Sequence, residues 1–200
     1  MKRFLDYIIV TMIGLTFTGC MTSAQRINAK SQSEKNNIFS EIHETKAVPK
    51  GYADLEIKAS IKTHAEDYFL YESSNSLHGK QEYPFLVNIG GQAIIWKVDG
   101  QEETIPHYYE GGGKNPEGGT GIKYNLHKRL RVVFGTHHLI LGLPGENYAT
   151  EFNISLEEGK TYILEFYPVY KECKKRHSCK KERQFINVIE DYKKVLSKNG

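Results

Sequence analysis

A mainly β fold is predicted, an antiparallel β-sandwich followed by one C-terminal amphipathic helix, and three observations predict it. Residues 53–62 alternate without a fault: Ala53, Leu55, Ile57, Ala59 and Ile61 on one face, Asp54, Glu56, Lys58, Ser60 and Lys62 on the other. A period of two sustained over ten residues marks a strand wet on one side only. Residues 147–156 repeat the pattern, with Tyr148, Thr150, Phe152, Ile154 and Leu156 on one face. Between and around these lie short runs rich in β-branched and aromatic residues, divided by Gly and Pro turns. No long helical pattern interrupts them, which argues against crossover α/β folds and for a sandwich.

The elements follow in order. Lys2 and Arg3 precede an apolar run of 11 residues, Tyr7 to Phe17, and Thr18-Gly19 precede Cys20. A short positive segment, an apolar stretch and small residues before a cut are the parts of an export signal. A membrane-spanning helix needs about 20 apolar residues, and Asp6 stops this run from growing backward. With a cysteine directly after the small residues, the segment looks like a bacterial lipoprotein signal. Residues 1–19 are then removed, and Cys20 is lipidated and becomes the mature N-terminus. Met21 after that cysteine, where Asp would be a retention mark, suggests outer-membrane delivery in an organism with two membranes.

Residues 20–49 are polar and poor in core side chains, and read as a flexible tether. A coil of that length spans on the order of 30 Å root-mean-square. Ile38, Phe39 and Ile42 have partial helical spacing, enough for a short docked turn. Pro49-Lys50-Gly51 marks the start of a domain over 50–170. After 53–62, strands are expected at Tyr68–Tyr71, Tyr83–Ile89, Ala93–Val98, Ile122–Leu126, Leu130–Phe134, His138–Leu143, Tyr148–Leu156 and Thr161–Tyr170. Turns are expected at Gly90-Gly91, Asp99-Gly100, Pro144-Gly145 and Glu158-Gly159. In 171–200, Phe185, Val188, Ile189, Tyr192, Val195 and Leu196 form an i, i+3/4, i+7 stripe, with Glu190, Asp191, Lys193 and Lys194 opposite. That pattern predicts a helix packed on the sandwich.

Lys2, Arg3 and Asp6 leave with the first 19 residues, which lowers the formal charge from +3 to +2. Nucleic-acid-binding proteins usually carry a strongly basic face, so this balance argues against that class. Of three cysteines, Cys20 is consumed by lipid. Cys173 and Cys179 remain as a pair in an oxidising compartment, closing the seven-residue loop Cys-Lys-Lys-Arg-His-Ser-Cys. A competing metal site at Cys173, His177 and Cys179 has no fourth ligand at a usual spacing.

The segment Arg131–Tyr167 contains Gly135-Thr136-His137, the run Leu139–Leu143, a break at Pro144-Gly145 and the turn Glu158-Gly159-Lys160-Thr161-Tyr162. With the upstream stretch Tyr83–Gly100 and its Val-Asp-Gly end, it resembles the PEGA-like and related small β-sandwich domains of bacterial surface lipoproteins. The resemblance covers about half the mature chain. It implies an Ig-like sandwich that is mostly non-catalytic, a binding or structural module.

The chemistry-bearing residues give a similar picture. Gly111-Gly112-Gly113-Lys114 lacks phosphate-loop spacing, because Tyr108 stands at the first glycine position and Asn115 where Ser or Thr is needed. With Glu117-Gly118-Gly119-Thr120-Gly121 it reads as a surface loop whose length points to function. His137 and His138 are adjacent, so a strand directs them to opposite faces; His137 reads as a strand-start residue with a local hydrogen bond. There is no Gly-x-Ser-x-Gly elbow. Tyrosines are numerous, and exposed ones suit stacking on sugars or a protein interface. Lys174, Lys175 and Arg176, within a basic run from Lys171 to Arg183, are the candidate binding surface for an acidic partner or anionic head groups. The expected function is a non-catalytic, envelope-anchored lipoprotein that binds another envelope component, protein or glycan, without a cofactor. The alternative is a metal-dependent enzyme built on His107, His127 and His137.

Overall fold

The computed structural model describes residues 23–44, 47–66, 73, 75–171 and 188–199. It is mainly β. Among the described residues one helix, α1 (Ser23–Lys30), precedes nine strands: β1 (Phe39–Glu41), β2 (Tyr52–Thr63), β3 (Glu82–Ile89), β4 (Gln92–Ile105), β5 (Gly119–Val133), β6 (Gly135–Leu143), β7 (Tyr148–Leu156), β8 (Thr161–Lys171) and β9 (Val188–Asn199). A 3-10 turn at Pro144–Glu146 joins β6 to β7.

The strands form one sheet in the order β7-β6-β3-β4-β5-β2-β8-β9, with β1 pairing β5 off that path. Every pairing is antiparallel except β2 with β8, which is parallel. The sheet curls, so that Phe152 on β7 meets Phe166 on β8 with ring centroids 6.0 Å apart. Its concave side holds the core. The alternating apolar set of β2 (Ala53, Leu55, Ile57, Ala59, Ile61) is buried there, with Tyr83, Phe85, Val87 and Ile89 of β3 and Leu139, Leu141 and Leu143 of β6.

The curl is made by β4. Its first half pairs with β3 as far as Glu82↔Asp99, and its second half pairs with β5 from Gly100↔Tyr124. At this crossing a Cβ on Gly100 would stand 2.3 Å from Ile122 Cγ2 and 2.7 Å from Tyr124 Cε1, so only glycine fits. Where β4 leaves β5, β1 takes its place along Leu130, Arg131 and Val132. Lys128 pairs in register with the inward-facing Ile57, so it points toward the concave side at this seam. Its ammonium is 2.6 Å from Glu41 Oε1 and 5.5 Å from the Trp96 ring, whose Nε1–H donates to Glu41 Oε2 at 3.1 Å.

Several elements differ from expectation. Of the amphipathic helix expected over Phe185–Leu196, the described part, from Val188, is instead the strand β9. Each residue of β8 has an edge that β2 leaves open, and pairing with β9 satisfies those backbone groups. A helix of about 12 residues is marginal in water without an apolar surface to cover. Val195 and Leu196, the stripe's leading residues, stay 38% and 42% exposed even here. The two-sheet sandwich is replaced by the single curled sheet. Asp99-Gly100 is the bend inside β4, not a turn, and Ile122–Phe134 is one strand up to Val133. Residues 23–44, read from their polarity as tether, supply α1 and β1. Tyr68–Tyr71 lies outside the described residues.

Candidate functional site

Loops gather at one end of the sheet, opposite the Gly90-Gly91 turn. There the β4–β5 connection, residues 106–118, is fixed by its own backbone. Tyr108 and Lys114 form a bridge; Tyr109 N–H donates to Gly113 O at 2.7 Å; Gly112 N–H donates to Tyr109 O at 2.8 Å; Asn115 N–H donates to His107 O at 2.8 Å. The Asn115 side chain then accepts from Glu117 N–H at 3.0 Å. The expected glycine-rich surface loop is thus a closed, hydrogen-bonded structure.

The base of this loop is clamped by charge. Lys62 on β2, its side chain 6% exposed, donates to the carbonyls of Glu117 and Gly119, both at 2.9 Å, and pairs with Glu103 at 3.3 Å. The Glu117 carboxylate accepts from Lys123 of β5 and from the Tyr170 hydroxyl of β8. Three strands therefore hold one glutamate. At the tip, Tyr108 and Tyr109 are 64% and 55% exposed, the most exposed large apolar side chains described. Rings held out on a fixed backbone lose little conformational freedom when a partner covers them.

Beside the loop lies a polar chain that the sequence did not signal. His64 follows β2, His78 precedes β3, and Glu146 closes the 3-10 turn. His64 Nδ1–H donates to Ala65 O at 2.7 Å, His64 Nε2 and His78 Nδ1 lie 2.8 Å apart, and His78 Nε2–H donates to Glu146 Oε1 at 2.8 Å. The Tyr83 hydroxyl donates to the same carboxylate oxygen at 2.8 Å. The acceptors at both ends set the tautomers. Burial by itself pushes the Glu146 carboxyl up, but the hydrogen bond and charge of His78, the Tyr83 hydroxyl and the charge of His64 hold it below the ordinary carboxylate value. Gly79 lets this corner close, since a Cβ there would stand 2.0 Å from Glu66 N, and its φ of +70° is one that side chains resist. The chain ties the end of β2, the start of β3 and the β6–β7 turn together.

A third feature is a shallow cleft of about 250 Å³ on the convex face of β5, β2 and β8, lined by Lys58, Ser60, Asn125, His127, Glu165 and Tyr167. Lys58 sits 3.1 Å from Glu56 and 3.5 Å from Glu165. Its charges pair with one another, as on a solvated sheet face.

The histidines named from the sequence are dispersed. His107 belongs to the loop; His127 is exposed on β5, 2.8 Å from Glu56; His137 is on β6, three places away in the sheet, donating to Val133 O at 2.6 Å. Among the described residues no three His, Cys, Asp or Glu side chains are placed to hold a metal ion. Cys20, Cys173, Cys179, Lys174, Lys175 and Arg176 lie outside the described residues. Near the end of β8 the Tyr170 hydroxyl donates to Glu117, which ties that strand end to the clamped loop. The His64–His78–Glu146 chain was missed because these residues sit in turn-rich stretches, where single polar residues have no periodicity to betray burial. The chain matches no protein-family model, no curated protein and no solved structure.

Proposed function

We propose that this protein is a non-catalytic lipoprotein of the bacterial envelope, anchored through lipidated Cys20, that binds another envelope component, protein or glycan. Loop 106–118 is its contact surface. The observation that carries this reading is the pair Tyr108 and Tyr109, more than half exposed on a loop closed by its own hydrogen bonds and clamped at Glu117. Tyrosine is enriched at interfaces because its ring supplies apolar area while its hydroxyl stays wet. The basic segment with Lys174, Lys175 and Arg176 belongs to the same reading as positive charge that speeds encounter with an acidic partner. The loop's turn is open to solvent at Gly111 and Gly112, where nothing lies within 4 Å of where a Cβ would sit.

The test replaces Tyr108 and Tyr109 together with Ser in the lipidated protein, alongside a photo-crosslinking residue placed at 108 and, as control, at Tyr52. Crosslinks to an envelope component are expected from position 108 and not from 52. The double Ser variant should keep its thermal stability within about 0.5 kcal/mol, because both side chains are exposed, and lose at least tenfold in capture. Undiminished capture by that variant overturns the loop as the contact surface.

A further inference from the structure

The N-terminal segment is bound to the body along its length, and this changes what the lipid does. Helix α1 packs beside β7, and its Ile27 is 4% exposed. The Asn88 side chain donates to Lys30 O at 2.9 Å. Ser33 Oγ bonds both Ala93 N and Ala93 O, at 2.9 and 3.1 Å, and the amides of Glu34 and Lys35 donate to Gly91 O at 2.8 and 3.1 Å. The Gln92 side chain then acts as one more piece of strand. Its Oε1 accepts from Ile38 N–H and Phe39 N–H, and its Nε2–H donates to Phe39 O, all within 2.7–3.1 Å. β1 completes the seam, and Ile42 N–H reaches Arg129 O at 2.9 Å.

From Ser23 onward this segment therefore has no slack to serve as a tether. Resting on the reading of Cys20 as the lipidated residue, we infer that the body sits directly on the bilayer that holds its lipid, with α1 and the neighbouring β7 edge nearest the head groups. Only Met21 and Thr22 separate Cys20 from Ser23. Three Cα–Cα steps reach at most about 11 Å, where a free coil running to Pro49 reaches on the order of 30 Å. Charge agrees with this placement: residues 23–37 contain Arg26, Lys30 and Lys35 against Glu34 alone, a sign suited to anionic head groups. The same placement directs the tyrosine loop outward. α1 ends beside Asn88, next to the Gly90-Gly91 turn, while loop 106–118 leaves the far end of the 14-residue β4. Followed through its bend at Asp99-Gly100, that strand has a contour of about 46 Å and α1 a length of only about 12 Å, so the loop lies at the end of the sheet away from the membrane, toward its partner.

Trp96 is the only tryptophan, which makes it a built-in donor. The experiment measures energy transfer from Trp96 to dansyl-labelled phosphatidylethanolamine. The full lipidated protein is reconstituted in vesicles of phosphatidylethanolamine and phosphatidylglycerol, with intact mass confirming the Cys20 adduct. Ten Gly-Ser residues inserted between Thr22 and Ser23 are expected to lower transfer at least twofold, because a two-residue spacer becomes a coil. If residues 20–49 were already a coil, ten more would lengthen its root-mean-square reach by only about a sixth. Ile27→Asp, which undocks α1 without changing chain length, should lower transfer likewise. Equal transfer in the wild type and the insertion variant, with Cys20 lipidated in both, overturns the docked body and leaves the anchor standing. An unmodified Cys20 in the wild type overturns both.

Discussion

Glu146 is held by two partners that a substitution would strand. His78 and Tyr83 both donate to its Oε1. Glu146→Gln keeps the shape and removes the charge that these donors meet. Hydrogen bonds to a charged group are worth about 1.5–3 kcal/mol, so a loss of about 2 kcal/mol is expected. The pH dependence has a definite sign. The folded carboxyl lies below its ordinary value of 4.5, so its stabilising contribution is complete above that value and is lost as pH falls through the lower folded one. Urea unfolding at pH 7 and pH 3 should show the wild type losing more stability on acidification than Glu146→Gln. Equal losses would mean that the Glu146 charge contributes nothing to the fold.

The element that decides most about the architecture is β9, because two readings of the same twelve residues bury different groups. As a helix, 188–199 would protect successive amides through i→i−4 bonds. As an edge strand paired antiparallel with β8, it protects alternate amides only, those directed at β8. Hydrogen exchange on the intact protein should therefore show alternating protection over 190–198, broken by the register shift opposite Val169 and Tyr170. Continuous protection would restore the helix. Composition favours the strand, since Val188, Ile189, Tyr192 and Val195 are β-formers. The side contacts agree: Lys194 Nζ lies 5.1 Å from the Phe152 ring, and Lys198 pairs with Glu157 at 2.7 Å. Loop 106–118 teaches a parallel lesson. Its glycines announced a surface loop, but the clamp that holds its base at Glu117 comes from Lys62, Lys123 and Tyr170, residues of three strands far apart in the chain.

At the scale of the whole molecule, one curled sheet leaves a seam where β4 crosses from β3 to β5, and the N-terminal segment fills it. Phe39 is the measure of this. It is 8% exposed and part of the common core, although it stands in a stretch that reads as polar tether. Phe39→Ala should cost about 3 kcal/mol, the lower end for emptying a buried aromatic site, in thermal or urea unfolding. A free tether predicts no cost. That outcome would separate α1 and β1 from the core and weaken the docked placement of the body on the bilayer.

Several features of this protein are determined by the sequence alone, because they depend on near neighbours. The alternation of 53–62 and 147–156 dictates which side chains face inward in β2 and β7. The turn residues place most strand ends within a few positions, and His137 finds its local carbonyl. Other features were decided only by tertiary structure, because they depend on which backbone edges lie open and which charges meet across the sheet. The open edge of β8 turned a helix-like stripe into β9. The departure of β4 from β5 gave Phe39 a place in the core. The curl brought His64, His78 and Glu146, spread over 83 positions of the chain, into one hydrogen-bonded line. Periodicity carries information about a residue's neighbours along the chain. A single polar residue in a turn acquires its partner only when the sheet closes around it.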